Sequence, residues 1–151
     1  MNLGDTLPAF DDGVEWLDGI AAQPRTGRPL LVHFWSTGCP LCHEGADLVN
    51  GWRSTHGAEA LDVIAVFAPR PESTSVDLEV VRRDARESMR LRHPCAIDRQ
   101  RTLQSVFDCP FSPGYFIFDG DGMLRHRQMG NDALATVGAV LDRLIVKASS
   151  T

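Results

Sequence analysis

Leu30-Leu31-Val32-His33-Phe34-Trp35-Ser36-Thr37-Gly38-Cys39-Pro40-Leu41-Cys42 is the stretch that decides the architecture. It opens as an almost continuous apolar run interrupted only by His33, the pattern of a strand buried on both faces. From Leu41 to Trp52 the apolar positions Leu41, Ala46, Leu48, Val49 and Trp52 follow helical spacing, and the segment dissolves at Ser54 to Gly57. A buried strand thus hands the chain to a helix that starts at the tetrad Cys39-Pro40-Leu41-Cys42.

Outward from this unit, Val14, Trp16, Leu17 and Ile20 fit a short helix or turn-rich lead-in over Val14 to Ala22, before the punctuation at Pro24 to Pro29. Leu61 to Phe67 reads as a second apolar strand, stopped by Pro69 and Pro71. Ser75 to Leu91 carries one apolar stripe, Val76, Leu78, Val81, Ala85 and Met89, and reads as a helix. Cys95 to Ile97 is a short third strand, and Asp98 is the expected cap of a helix to Phe107. Tyr115 to Phe118 and Met123 to Gln128 flank Asp119-Gly120-Asp121-Gly122, a hairpin signal because Gly and Asp tolerate positive φ. Asn131 is expected to cap a last helix, Asp132 to Val146. This order predicts an α/β fold of three layers, helices on both faces of a mixed central sheet, with a C-terminal β-hairpin and helix. No internal repeat or low-complexity segment divides the chain, so residues 1–151 are read as one domain with an ordered core of about 3–146.

The 151 residues are 43% hydrophobic and 23% charged, with a net charge of −5. Folding a chain of this length hides roughly 70% of the unfolded surface, so neither disulfide staples nor a structural metal is needed for a core. The acidic balance and the lack of a basic block exclude nucleic-acid binding and membrane-surface attachment, and no apolar run approaches the ~20 residues that span a bilayer. The N-terminus shows no charged region followed by an apolar stretch, so the expected compartment is the cytoplasm. A monomer is expected. In that compartment the four cysteines are expected to be catalytic, metal-binding or buried rather than a structural framework.

Cys-x-x-Cys at the first turn of a helix is the arrangement that disulfide exchange needs. Unpaired N–H groups at the helix start stabilise the thiolate of the first cysteine, and two intervening residues bring the second within reach of a mixed disulfide. Pro40 fits an early helical position, where its missing N–H costs nothing. Cys39 is therefore the expected nucleophile and Cys42 the resolving thiol. The alternatives are half of a zinc site or two core cysteines. A zinc site wants four ligands, and neither Cys95 nor Cys109 has a partner at two-residue spacing.

Leu31 to Cys42, with an aromatic pair (Phe34, Trp35) ahead of Cys-x-x-Cys, resembles the active-site strand and helix of the thioredoxin superfamily. Ser112-Pro113 ahead of Tyr115 to Gly122 resembles that family's cis-proline loop and hairpin. Gly4 to Pro8, Trp16-Leu17, Val32 to Ser36, Ala65-Val66 with Pro69-Arg70, and Asp119 with Leu124-Arg125-His126 are similar to one branch, the YkuV-type cytosolic thiol-disulfide oxidoreductases related to the TlpA and ResA group. The likeness runs from about Leu3 to Ile145. It implies a thioredoxin-like fold, Cys39 and Cys42 as the catalytic pair, and Ser112 with a cis Pro113 as the substrate-binding element. The cis bond would hold the Ser112 backbone open to pair with an incoming peptide.

Some residues depart from the family pattern. Gly38 stands where many relatives carry Trp, which implies a wider groove, and Gly45 stands where a Glu often follows Cys42, with Glu44 one position early. His33 takes the place of a buried acid, six residues before Cys39. It either accepts the Cys42 proton or is a strand histidine bonded to backbone, the second being preferred. His43 either lowers a thiolate pKa or lies on the surface. Cys95 and Cys109 are expected to be partly buried free thiols, a second redox pair being the other reading. Asp119 to Gly122 begins like a calcium loop, but its twelfth position is Gly130 rather than Glu.

The sequence thus predicts a thiol-disulfide oxidoreductase that uses Cys39 and Cys42, with Pro40, Trp35 and His33 behind them, and needs no cofactor or metal. Its expected partners are a disulfide-containing protein or small molecule and an electron-donating reductase or thiol, with net reduction in the cytoplasm. The alternatives are a soft-metal module delivering copper through the same pair and a thiol peroxidase, for which no Thr-x-x-Cys is present.

Overall fold

The computed structural model describes residues 1–22, 24–70 and 75–149. Six strands, β1 (Glu15–Trp16), β2 (Leu30–Trp35), β3 (Asp62–Phe67), β4 (Cys95–Ile97), β5 (Gly114–Phe118) and β6 (Leu124–Met129), form one sheet in the order β1-β4-β3-β2-β5-β6. β2, β3 and β4 run parallel, and β1, β5 and β6 are antiparallel to their neighbours. The helices are α1 (Pro40–His56), α2 (Leu78–Arg83), α3 (Thr102–Phe107) and α4 (Leu134–Ser149).

All six residues of β2 are buried, because both faces of the sheet are covered. Alternation sends Leu30, Val32 and Phe34 to a layer made by Phe10 and by Leu103 and Phe107 of α3. The Phe107 ring packs on Phe34, Phe116 and Phe118 with centroids 5.3, 5.2 and 6.0 Å away. Leu31 and Trp35 face the other way, toward α1 (Cys42, Ala46, Val49), α2 (Val81) and α4 (Val137, Leu141). The three layers, the mixed sheet and the C-terminal hairpin and helix are as the sequence predicts.

The differences lie at element ends. Val14 to Ala22 holds no α-helix: Glu15–Trp16 pair with β4 as a two-residue edge strand, and a 3₁₀ turn follows at Leu17–Gly19. Positive φ at Asp18 and Gly19 blocks any longer helix there. α1 continues to His56 and stops at Gly57, whose φ of 80° ends it. The helix expected from Ser75 begins at Leu78, with the Asp77 carboxylate accepting from the N–H groups of Glu79 and Val80, and widens into a π turn at Asp84–Ser88. Asp98 does accept from Leu103 and Gln104, at 2.9 Å each, yet α3 starts only at Thr102 because Arg101 is left-handed. Asn131 is not the cap of α4, which begins after Ala133 (φ 59°). Pro71, the second expected strand stop, lies outside the described residues.

His33 is not bonded to backbone. Its Nε2 lies 2.7 Å from Nε2 of His93, in a contact buried under α1 with both rings about 3% exposed. Burial pushes the His33 pKa down to about 3, and burial together with the charges of His33, Arg53 and Arg86 pushes His93 well below its usual value. One ring donates and the other accepts, so the Nε2–Nε2 contact is made when both rings are neutral. Between about pH 6.5 and 3 the unfolded chain binds protons that the native pair excludes, so stability falls as pH drops through that window. From pH 7 to pH 5 the protein is expected to lose up to about 2 kcal/mol of unfolding free energy for each histidine. A His33→Leu/His93→Leu variant should lose correspondingly less. Parallel pH dependence of the two proteins in urea unfolding would contradict this.

Candidate active site

β2 ends at Trp35 on the C-terminal edge of the parallel strands, and the chain turns through Gly38 (φ 66°) into α1. Cys39 is the residue that caps α1: its backbone is extended, and its Sγ accepts the Cys42 N–H at 3.2 Å. Pro40 fills the first helical position. The two cysteines are joined as a disulfide with Cα atoms 5.3 Å apart. They are unequal. Cys39 is half-buried, whereas Cys42 is 3% exposed and packs with Trp35 and Ala46.

A groove of about 330 Å³ opens over Cys39, walled by Leu41, Pro69, Pro110 and Phe111 and floored by Ser36 and Ser112. Leu41 and Phe111 leave 46% and 60% of their surface exposed on its rim. The Ser112–Pro113 peptide is cis. A larger cleft of about 500 Å³ lies between the N-terminal segment and α3 and contains no cysteine. The smaller groove is the chemically relevant one, because it alone of these two opens on a redox sulfur.

Several residues that spacing did not single out hold this geometry. Arg70 donates to the Gly38 carbonyl, and Arg101 donates to the Arg70 carbonyl. A side chain at position 38 would meet the Arg70 guanidinium at 3.1 Å, so the space expected to widen the groove is partly taken by Arg70. Asn131 donates to the Leu41 carbonyl at 2.7 Å and accepts from the Tyr115 hydroxyl at 3.0 Å, tying the first turn of α1 to β5. Burial raises the Tyr115 pKa to about 12, so it remains a donor. Gly45 is explained by the same contact: a Cβ there would lie 2.1 Å from the Tyr115 hydroxyl oxygen. Glu44 is exposed, and His43 is engaged by Asp84, Nε2 to Oδ1 2.9 Å.

Cys95 and Cys109 are buried free thiols on opposite faces of the sheet, so they do not form a second pair. Burial pushes their pKa values up to about 11 and about 12. Among the described residues no helix is long and apolar enough to cross a membrane.

This architecture is shared by solved thioredoxin-like proteins. The solution structure of a thioredoxin-like protein in the oxidised form matches with a TM-score of 0.83 at 30% identity, covering 97% of this chain and 99% of that one. A thiol-disulfide isomerase from Corynebacterium glutamicum shares the fold at 16% identity, TM-score 0.78, over 95% of this chain and 96% of its own. The chain belongs to the Redoxin family, which matches residues 3–141. The thiol-disulfide oxidoreductase YkuV of Bacillus subtilis is 30% identical over 149 residues, 97% of this chain and 99% of that protein. The chain is thus a thiol-disulfide oxidoreductase with a thioredoxin-like fold, and copper delivery gains no support from these relatives.

The Gly45 contact makes a test. Gly45→Ala should destabilise by about 1–3 kcal/mol through overpacking against the hydroxyl. Combined with Tyr115→Phe, the same change should become neutral or stabilising by up to about 1 kcal/mol, the ordinary helical preference for Ala. An equal cost of Gly45→Ala in both backgrounds, measured by urea unfolding, would contradict the contact.

Proposed function

We propose that the protein reduces protein disulfides in the cytoplasm, with Cys39 as nucleophile and Cys42 as resolving thiol. The single observation that carries this is the inequality of the two sulfurs: Cys39 opens on the groove at the start of α1, and Cys42 lies beneath it. In the reduced protein the Cys39 thiolate attacks one sulfur of the substrate disulfide. A mixed disulfide forms, and the other substrate sulfur leaves as a thiolate and takes up a proton. Cys42, deprotonated, then attacks Cys39 Sγ. The second substrate thiol is released, and two electrons have passed to the substrate as the Cys39–Cys42 disulfide forms. An electron-donating reductase or thiol resets the pair.

The groove suits an extended peptide rather than a compact ligand. Its rim residues Leu41 and Phe111 offer apolar contact, and Ser112 lines it with backbone that a substrate strand can pair with, next to Pro113. Pro40 fixes the helix start and Trp35 packs beneath Cys42. His33, held neutral against His93, is read as core rather than as proton acceptor. The two unpaired thiols Cys95 and Cys109 suit a reducing compartment.

Trapping distinguishes the two roles. Cys42→Ser should capture disulfide-bearing proteins as DTT-sensitive adducts through Cys39, and Cys39→Ser should capture few or none. Equal capture by both variants would overturn the assignment.

A further inference from the structure

At the N-terminal edge of the parallel strands, opposite the cysteines, the loop before β2, the last turns of α1, the start of β3 and the turn before β4 enclose a pocket of about 320 Å³. Arg25, Arg53 and Arg92 line it together with the buried His93. In a chain of net charge −5 this is a local excess of positive charge. Arg25 is neutralised by Asp62 at 2.6 Å, and Arg86, next to the pocket, is paired with Asp18 at 3.3 Å. Arg53 is half-buried and its guanidinium, among the described residues, has no hydrogen bond or ion pair. Arg92 donates to the Arg86 carbonyl and likewise has no carboxylate partner among the described residues. Burial and the charges of Arg86 and Arg92 together lower the Arg53 pKa, with no carboxylate offsetting them. His93 adds a buried Nδ1 that no group satisfies, its Nε2 being engaged by His33.

A guanidinium withdrawn from water beside like charge is costly unless an acceptor meets it. The macrodipole of α1 favours a cation in its last turn but supplies no acceptor to the guanidinium. The half-buried Arg53 guanidinium lacks an acceptor and the exposed Arg92 stands beside it without a carboxylate, so the pair favours an anion, and their planar N–H forks fit the oxygens of a phosphate group. The pocket is larger than free phosphate requires, and Ala22, Leu61 and Pro94 give it an apolar wall for a substituent.

We infer that this pocket binds a phosphate group between Arg53 and Arg92, as the free dianion or as a phosphomonoester, at a site separate from the disulfide. The test uses the full chain, titrated with inorganic phosphate and with phenyl phosphate against sodium chloride at equal ionic strength, by thermal shift and calorimetry. A saturable rise in Tm beyond that given by chloride is expected, with one site per chain. Arg92→Gln should weaken binding on the order of tenfold or more, and Arg53→Gln should abolish it. Without phosphate, Arg53→Gln should be as stable as the parent or more so, because the guanidinium it removes is uncompensated. Both variants should keep disulfide reductase activity, being remote from Cys39. Binding of phenyl phosphate alone would support the site and identify a monoester as its ligand. A response to both phosphates no greater than to chloride overturns the inference, as does unchanged affinity in both variants. If Arg53→Gln fails to fold, its guanidinium is structurally compensated after all, and the inference falls.

Discussion

The structure turns on one junction, where the buried strand β2 delivers Cys39 to the start of α1 and the Cys42 N–H meets its sulfur. The first N–H groups of a helix have no partner within it, and here one of them is spent on the sulfur that does the chemistry. The rest of the molecule fixes where that helix start points. Packing on both sides of β2 sets its height, and α1 is seated through Cys42, Ala46 and Val49. Asn131 holds its first turn from one side through the Leu41 carbonyl, and Arg70 holds the entering turn from the other through the Gly38 carbonyl.

One small domain also places chemically identical groups in opposite surroundings. Cys95 and Cys109 are enclosed by apolar side chains, and their thiols are held far from ionisation at neutral pH. Cys39, at a helix start and open to a groove, is placed to ionise readily. Among the histidines, His33 and His93 stay neutral because burial disfavours charge, whereas His43 lies at the surface of α1 with Asp84 Oδ1 2.9 Å from its Nε2. Position, not residue type, decides which group is available for reaction.

Much of this was legible in the sequence because it is local. The apolar runs of β2 to β5, the Asp-Gly hairpin and the Cys-x-x-Cys tetrad each lie within a few residues, and so does the reach of Asp98 to the start of α3. What was not legible depends on residues far apart in sequence. His33 reads as an ordinary strand histidine until β4's approach brings His93 against it. Gly45 looks like a missing acid until the Tyr115 hydroxyl is found in the space where its Cβ would be. Arg70 belongs to the quoted Pro69-Arg70 pair, yet nothing in the sequence shows that its guanidinium supports the turn before Cys39. β1 is two residues long, too short for alternation to be visible, and its pairing with β4 is a tertiary event.

The most direct test is the ionisation of Cys39 in the reduced protein, followed by alkylation rate and thiolate absorbance against pH. If the start of α1 stabilises the thiolate, Cys39 titrates at least one unit below the free-thiol value of ~8.5, while Cys95 and Cys109 stay protonated throughout. A Cys39 pKa at or above ~8.5 would contradict the claim that the β2–α1 junction makes this sulfur the nucleophile.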